Sequence, residues 1–132
     1  MAYIVTADIT DSMLTEAAFT AKLAAKITLS TTEVEDLAER RGVLAADIEI
    51  TPVHNLVKKY AVAWVCQELC KDEIGKVKIE AMETDMYYQK YKVYKADVSE
   101  LDAQITADVL TGNVDEMRDR QGPRVGTLME GG

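Results

Sequence analysis

Residues 52–74 are polar at both ends and apolar through the middle, where Tyr60-Ala-Val-Ala-Trp-Val-Cys66 runs without interruption. A helix apolar on every side must be surrounded by other elements, so this stretch predicts a buried hub helix. Its flanks are His54, Lys58 and Lys59 before the run and Glu68, Lys71, Asp72 and Glu73 after it. Pro52, following Thr51, predicts the helix start, because a first-turn proline loses no helical hydrogen bond. Gly75 predicts its stop.

Upstream, Phe19, Leu23 and Ile27 recur every four residues, predicting a helix over about residues 15–29 with Thr15 as its cap. Ser30-Thr-Thr-Glu33 matches a capping box and predicts a second, short helix burying Val34, Leu37 and Ala38 and stopping at Gly42. Residues 43–51 then read as a connector, and residues 1–12 alternate only weakly. Downstream of the hub, residues 76–83 read as a loop in preference to one short strand. A long last helix is predicted over about residues 85–110, stopping at Gly112. Its stripe of Tyr87, Tyr91, Tyr94, Val98, Leu101 and Ile105 has a period near 3.5, a packing seam expected to lie on the hub helix. At about 1.5 Å per residue this helix would be about 39 Å long, longer than the hub, so one end should project. The fold class that follows is all-α: a small bundle of about four helices around a buried central helix, with an extended C-terminal arm. Residues 1–111 form the helical domain and the Gly-rich residues 112–132 the arm.

Charge modifies this picture. The net charge of −8 is unevenly placed: residues 1–57 carry nine acids and four bases, and residues 96–132 eight acids and three bases. Between them, residues 58–95 carry eight bases and six acids. Acidic ends are poorly suited to gripping phosphates. Alternating signs suit head-to-tail contact between copies. No apolar run approaches the roughly 18 residues of a membrane span, and no signal peptide is visible, so a soluble protein is expected.

Candidate chemistry is sparse. His54 is the sole histidine and lies in the first turn of the hub, where a capping or solvent-facing role is expected. Cys66 and Cys70 are one turn apart, too distant for a relaxed disulfide, and read as buried free thiols. One CxxxC with a histidine twelve residues before Cys66 is not a zinc pattern. A single histidine is also incompatible with a di-iron bundle, and the glycines form no phosphate loop. Neither enzyme activity, nor a metal, nor a cofactor is expected. Tyr87, Tyr88, Tyr91 and Tyr94, interleaved with Lys90, Lys92 and Lys95, offer either a protein interface or base stacking. Asp97, Glu100, Asp102 and Asp108 on the same helix favour the protein interface.

The order of these features carries a resemblance. Tyr3 and Thr6-Ala-Asp-Ile9 are followed by two short helices and by Lys58-Lys-Tyr-Ala-Val-Ala-Trp-Val-Cys66, continuing through Asp72 to Gly75. Tyr87 to Tyr94 and Ile105-Thr-Ala-Asp108 then lie on the last helix. Over about residues 3–110 this layout resembles the head–tail connector, or head-completion, proteins of tailed phages. The resemblance implies a structural virion subunit in a homo-oligomeric ring, usually of about twelve copies, between the portal and the tail. Its partners would be further copies of itself, the portal protein and a tail-completion or stopper protein. DNA would pass through an acidic lumen without specific binding and no membrane would be involved. The implied location is the virion neck, with assembly in the host cytoplasm. Candidate interface residues are Tyr88, Lys92 and Lys95 on the last helix and Met117, Arg118, Arg120, Arg124, Val125, Leu128 and Met129 in the arm. The alternatives are a small helical nucleic-acid-binding or regulatory module and, less well supported, a small enzyme or chaperone-like bundle.

Overall fold

Two of the expected helices are one. In the computed structural model, which describes residues 2–74 and 81–112 (side chains in the second stretch from residue 86), α1 runs unbroken over Thr20–Arg40. Ser30 does not open a helix. It is buried in the interior of α1, where its Oγ donates to the Ile27 carbonyl at 2.6 Å. That bond removes the cost of burying the hydroxyl, and tertiary packing of Leu23, Ile27, Val34 and Leu37 outweighs the local capping pattern. The helix begins five residues later than Thr15 suggests, because a 3-10 turn, Ala17–Phe19, precedes it. Gly42 ends it as expected. At φ 78° the left-handed residue lets its own N–H reach the Glu39 carbonyl and the Val43 N–H reach the Ala38 carbonyl.

The hub helix, α2, spans Asn55–Glu73 and starts at His54, not at Pro52. Thr51-Pro52 is a cis peptide, within a turn whose flanks Ile50 and Val53 form a single antiparallel bridge. The His54 Nδ1 accepts from the Leu56 N–H at 3.0 Å, satisfying one of the orphan donors of the first turn. Val57, Tyr60, Ala61, Ala63, Val65, Cys66, Leu69 and Cys70 are buried. Val62 and Trp64 are only half-buried, so the hub is not enclosed on every side.

The expected last helix is two. α3 covers Ala81–Gln104 and α4 covers Ala107–Thr111. Residues 81–83, read as loop from the sequence, are helical, while residues 76–80 lie outside the described residues, as does the expected stop at Gly75. The break at residues 105–106 has a local cause. Ile105 is completely buried, and Thr106 leaves the helical path to accept the Val109 N–H on its Oγ1 at 3.3 Å. Gly112 closes α4 at φ 84°. A Cβ there would stand 3.2 Å from the side chain of Glu49, a residue whose backbone N–H donates to the Leu110 carbonyl at 2.8 Å.

α2 packs against both α1 and α3, and Arg40 and Arg41 at the end of α1 reach Asp102 of α3. The seam residues Tyr87, Tyr91, Tyr94, Val98 and Leu101 lie against the core, as their spacing predicts. With 24 residues against 19, α3 is longer than α2. The N-terminal segment contributes more than its weak pattern suggests. Tyr3, Ile4, Ile9 and Leu14 are all buried, each stabilising by about 1.5–3 kcal/mol if fully removed from water. The described residues are thus all-α, with no strands beyond that single bridge.

Candidate functional site

Along α3 the seam that faces the core leaves a neighbouring stripe facing outward. Tyr88 is offset from Tyr87 by one residue, about 100° round the helix. It is 45 % exposed; Met86, at 45 %, and Val93, at 59 %, fall on the other side of the seam, about 140–160° away round the helix. The Lys92 Nζ lies 4.9 Å from the Tyr88 ring centre and the Lys95 Nζ 5.8 Å from that of Tyr91. Such stacking is worth about 0.5–1 kcal/mol at exposed positions and holds the ammonium groups on the aromatic surface. Among the described residues neither lysine has a carboxylate within ion-pair distance. The result is a positively charged aromatic stripe, in which the tyrosines are of the kind enriched at protein interfaces. Tyr88, Lys92 and Lys95, expected as interface residues, are therefore brought together. Met117, Arg118, Arg120, Arg124, Val125, Leu128 and Met129 lie outside the described residues.

Lys90 does something different. It reaches Asp11 of the N-terminal segment at 3.0 Å, where the Tyr94 hydroxyl also donates to the same oxygen at 2.5 Å. The other Asp11 oxygen accepts from the Met13 N–H at 3.0 Å. Burial works to raise the Asp11 carboxyl, but the bonds from Tyr94, Lys90 and Met13 outweigh it and hold the group below its ordinary value. Burial and the Asp11 partner push the Tyr94 hydroxyl strongly up. Beneath Tyr94, burial pushes the Cys66 thiol up to about 12 and the Cys70 thiol up to about 11. Both cysteines are free, buried and held as thiols, as the sequence predicts. This network ties the N-terminal segment to α3 and presents no nucleophile to solvent.

An open groove of about 640 Å³ lies between α2 and α3. Leu56, Val62, Ala63 and Leu101 give it apolar lining, Lys58 and Lys59 come from α2, and Asp97 and Glu100 from α3. Its opposed charges come from helices separated in sequence, which is why no linear pattern announces it.

Glu33 and Asp36 of α1 and Glu68 of α2 are near enough for the latter two to act on Glu33. Burial, with the charges of Asp36 and Glu68, pushes the Glu33 carboxyl up against a smaller opposing pull from Arg40. Arg40 is itself 3.1 Å from Asp102, and Arg41 is 2.6 Å from the same carboxylate. Among the described residues no three histidine, cysteine or carboxylate side chains converge on a metal position. His54 is spent as a helix cap. No described helix is long and apolar enough to cross a membrane.

Comparison with known proteins returns no matching family model, no similar curated protein and no similar solved structure. The arrangement of the site is therefore the only guide to what it does.

Proposed function

We propose that the protein is a structural subunit of the tailed-phage head–tail connector type, assembling as a homo-oligomeric ring between the portal and the tail and lining the DNA channel. The observation that carries this reading is the α3 stripe of Tyr88, Lys92 and Lys95, an exposed aromatic and cationic surface beside the packing seam. The layout of the chain supports the same reading, and so does its net charge of −8, which suits a channel through which DNA slides without adhering. The portal protein, a tail-completion or stopper protein and further copies of the chain are the proposed partners, in the virion neck and, during assembly, in the host cytoplasm. Mass by light scattering and particle shape by electron microscopy, alone and with portal assemblies, test the proposal. Rings, or a saturable complex with the portal, are expected. A chain that stays monomeric and ignores portals overturns it. Removing residues 113–132 should leave helicity unchanged while abolishing assembly.

A further inference from the structure

We propose that the groove between α2 and α3 is the seat of the chain's own C-terminal arm, residues 113–132, which covers it in the free protein. The proposal stands independently of the ring reading.

The groove suits a segment that is apolar and carries both signs of charge. Leu56, Val62 and Leu101 are only half-buried along it, leaving apolar surface that a bound segment removes from water. Lys58 and Lys59 stand on the α2 side, Asp97 and Glu100 on the α3 side. Among the described residues none of these four has an opposite charge within ion-pair distance. A segment of one sign is attracted by one wall and repelled by the other. The arm carries both signs, with Arg118, Arg120 and Arg124 set among Asp115, Glu116, Asp119 and Glu130. Its densest apolar group is Val125, Leu128 and Met129. The arginines complement Asp97 and Glu100, and the apolar group matches the half-covered floor.

The arm also starts within reach. Gly112 closes α4 against Glu49, and Asn55, which lines the groove, follows Glu49 by six residues. The root of the arm is therefore at most about 30 Å from Asn55. Along α2 the groove continues to Ala63, about another 12 Å. Residues 113–132 can span about 66–72 Å, enough to reach its far end with length to spare. A short tether presents its segment at an effective concentration of about millimolar, above that of a second copy in dilute solution, which favours the contact within one chain. Docked, the arm keeps Val125, Leu128 and Met129 out of water, and a partner that recruits the arm must first displace it.

A spin label tests the contact in the full chain without changing any helix. Attached at Met129→Cys, with Cys66 and Cys70 buried and slow to react, it should broaden the amide signals of Lys59, Val62 and Glu100 in dilute solution. Isotope-labelled chain without the spin label, mixed with spin-labelled chain, should show no such broadening. A second measurement uses the arginines of the arm. Asp97→Lys/Glu100→Lys should raise cleavage after Arg124 by an arginine-specific protease about tenfold, and adding Arg118→Glu/Arg120→Glu to the same chain should bring the rate back down. Groove signals that stay sharp, or cleavage that ignores both reversals, overturn the proposal. Broadening seen only in the mixture overturns it too, because the groove then holds the arm of a second copy. None of these outcomes touches the ring reading, and a chain that is monomeric and ignores portals leaves this contact standing.

Discussion

Asp11 and Asp102 both fasten α3 to the rest of the protein, but in different surroundings. Asp11 comes from the N-terminal segment and meets Lys90 and Tyr94, with 9 % of its side chain exposed. Asp102 belongs to α3 itself and meets Arg40 and Arg41 of α1, with 28 % exposed. Removing a partner from a buried charge leaves the other partner stranded, whereas near the surface water replaces what is lost. The same residue type should therefore contribute unequally. The Asp11 contact also joins a segment that has little helical structure of its own, so the segment depends on it and on Ile4, Ile9 and Leu14.

The largest expected effect is at Asp11. Asp11→Ala strands Lys90 and the Tyr94 hydroxyl and should cost about 2–4 kcal/mol in urea denaturation. The thiols report the same event locally. Burial holds Cys66 at about 12, so native protein should react very slowly with a thiol reagent near neutral pH. Asp11→Ala should accelerate labelling about a hundredfold if the segment opens locally, while Asp102→Ala changes it less than about tenfold. Equal acceleration by both substitutions would show that α3 opens as one unit and that the distinction between its two fastenings is wrong. Next in size, Asp102→Ala should cost about 0.5–1.5 kcal/mol, because Arg41 retains backbone carbonyl partners.

The smallest effect expected is in acid. Both carboxyls lie below their ordinary value of 3.8 in the folded protein. Their contribution is complete above that value and fades as pH falls through the folded values. Urea midpoints followed from about pH 5 to about pH 2 should fall less steeply for Asp11→Asn and for Asp102→Asn than for the natural chain. An acid limb unchanged by either substitution would remove both residues from the account of acid sensitivity.

Much of this was legible in the residues themselves. The apolar run at Tyr60–Cys66 identified the hub, the tyrosine spacing identified the seam, and Gly42 and Gly112 marked two helix ends. His54 as a cap and the free thiols also follow from local chemistry. What escaped was decided by tertiary contact. Ser30-Thr-Thr-Glu33 has the local grammar of a helix start, yet packing on both sides of Ser30 carries α1 straight through it. Thr106 has a cap's chemistry, but only the burial of Ile105 and the reach of Arg41 make a break there favourable. Tyr3, Ile4, Ile9 and Leu14 follow no period because an irregular segment laid over a bundle has none to follow. Of the candidate site, Tyr88, Lys92 and Lys95 could be picked out from spacing. The groove and the Asp11 contact join residues dozens of positions apart and left no trace in any window.

Arg41 has a wider consequence. Its Nε donates to the Ile105 carbonyl at 2.8 Å, and its Nη2 donates to the backbone carbonyl of Asp102 as well as to the side chain. The Asp102 carbonyl is among those left without a partner when α3 stops at Gln104. One guanidinium from the end of α1 thus supplies donors that the next turn of α3 would have supplied had the helix continued. The planar fork holds spaced donors in fixed directions toward these acceptors, whereas a lysine ammonium presents its three donors from a single point. The ends of α1 and α3 are spliced by a side chain standing in for backbone. Moving either helix tip away from the other therefore breaks three hydrogen bonds of one side chain together.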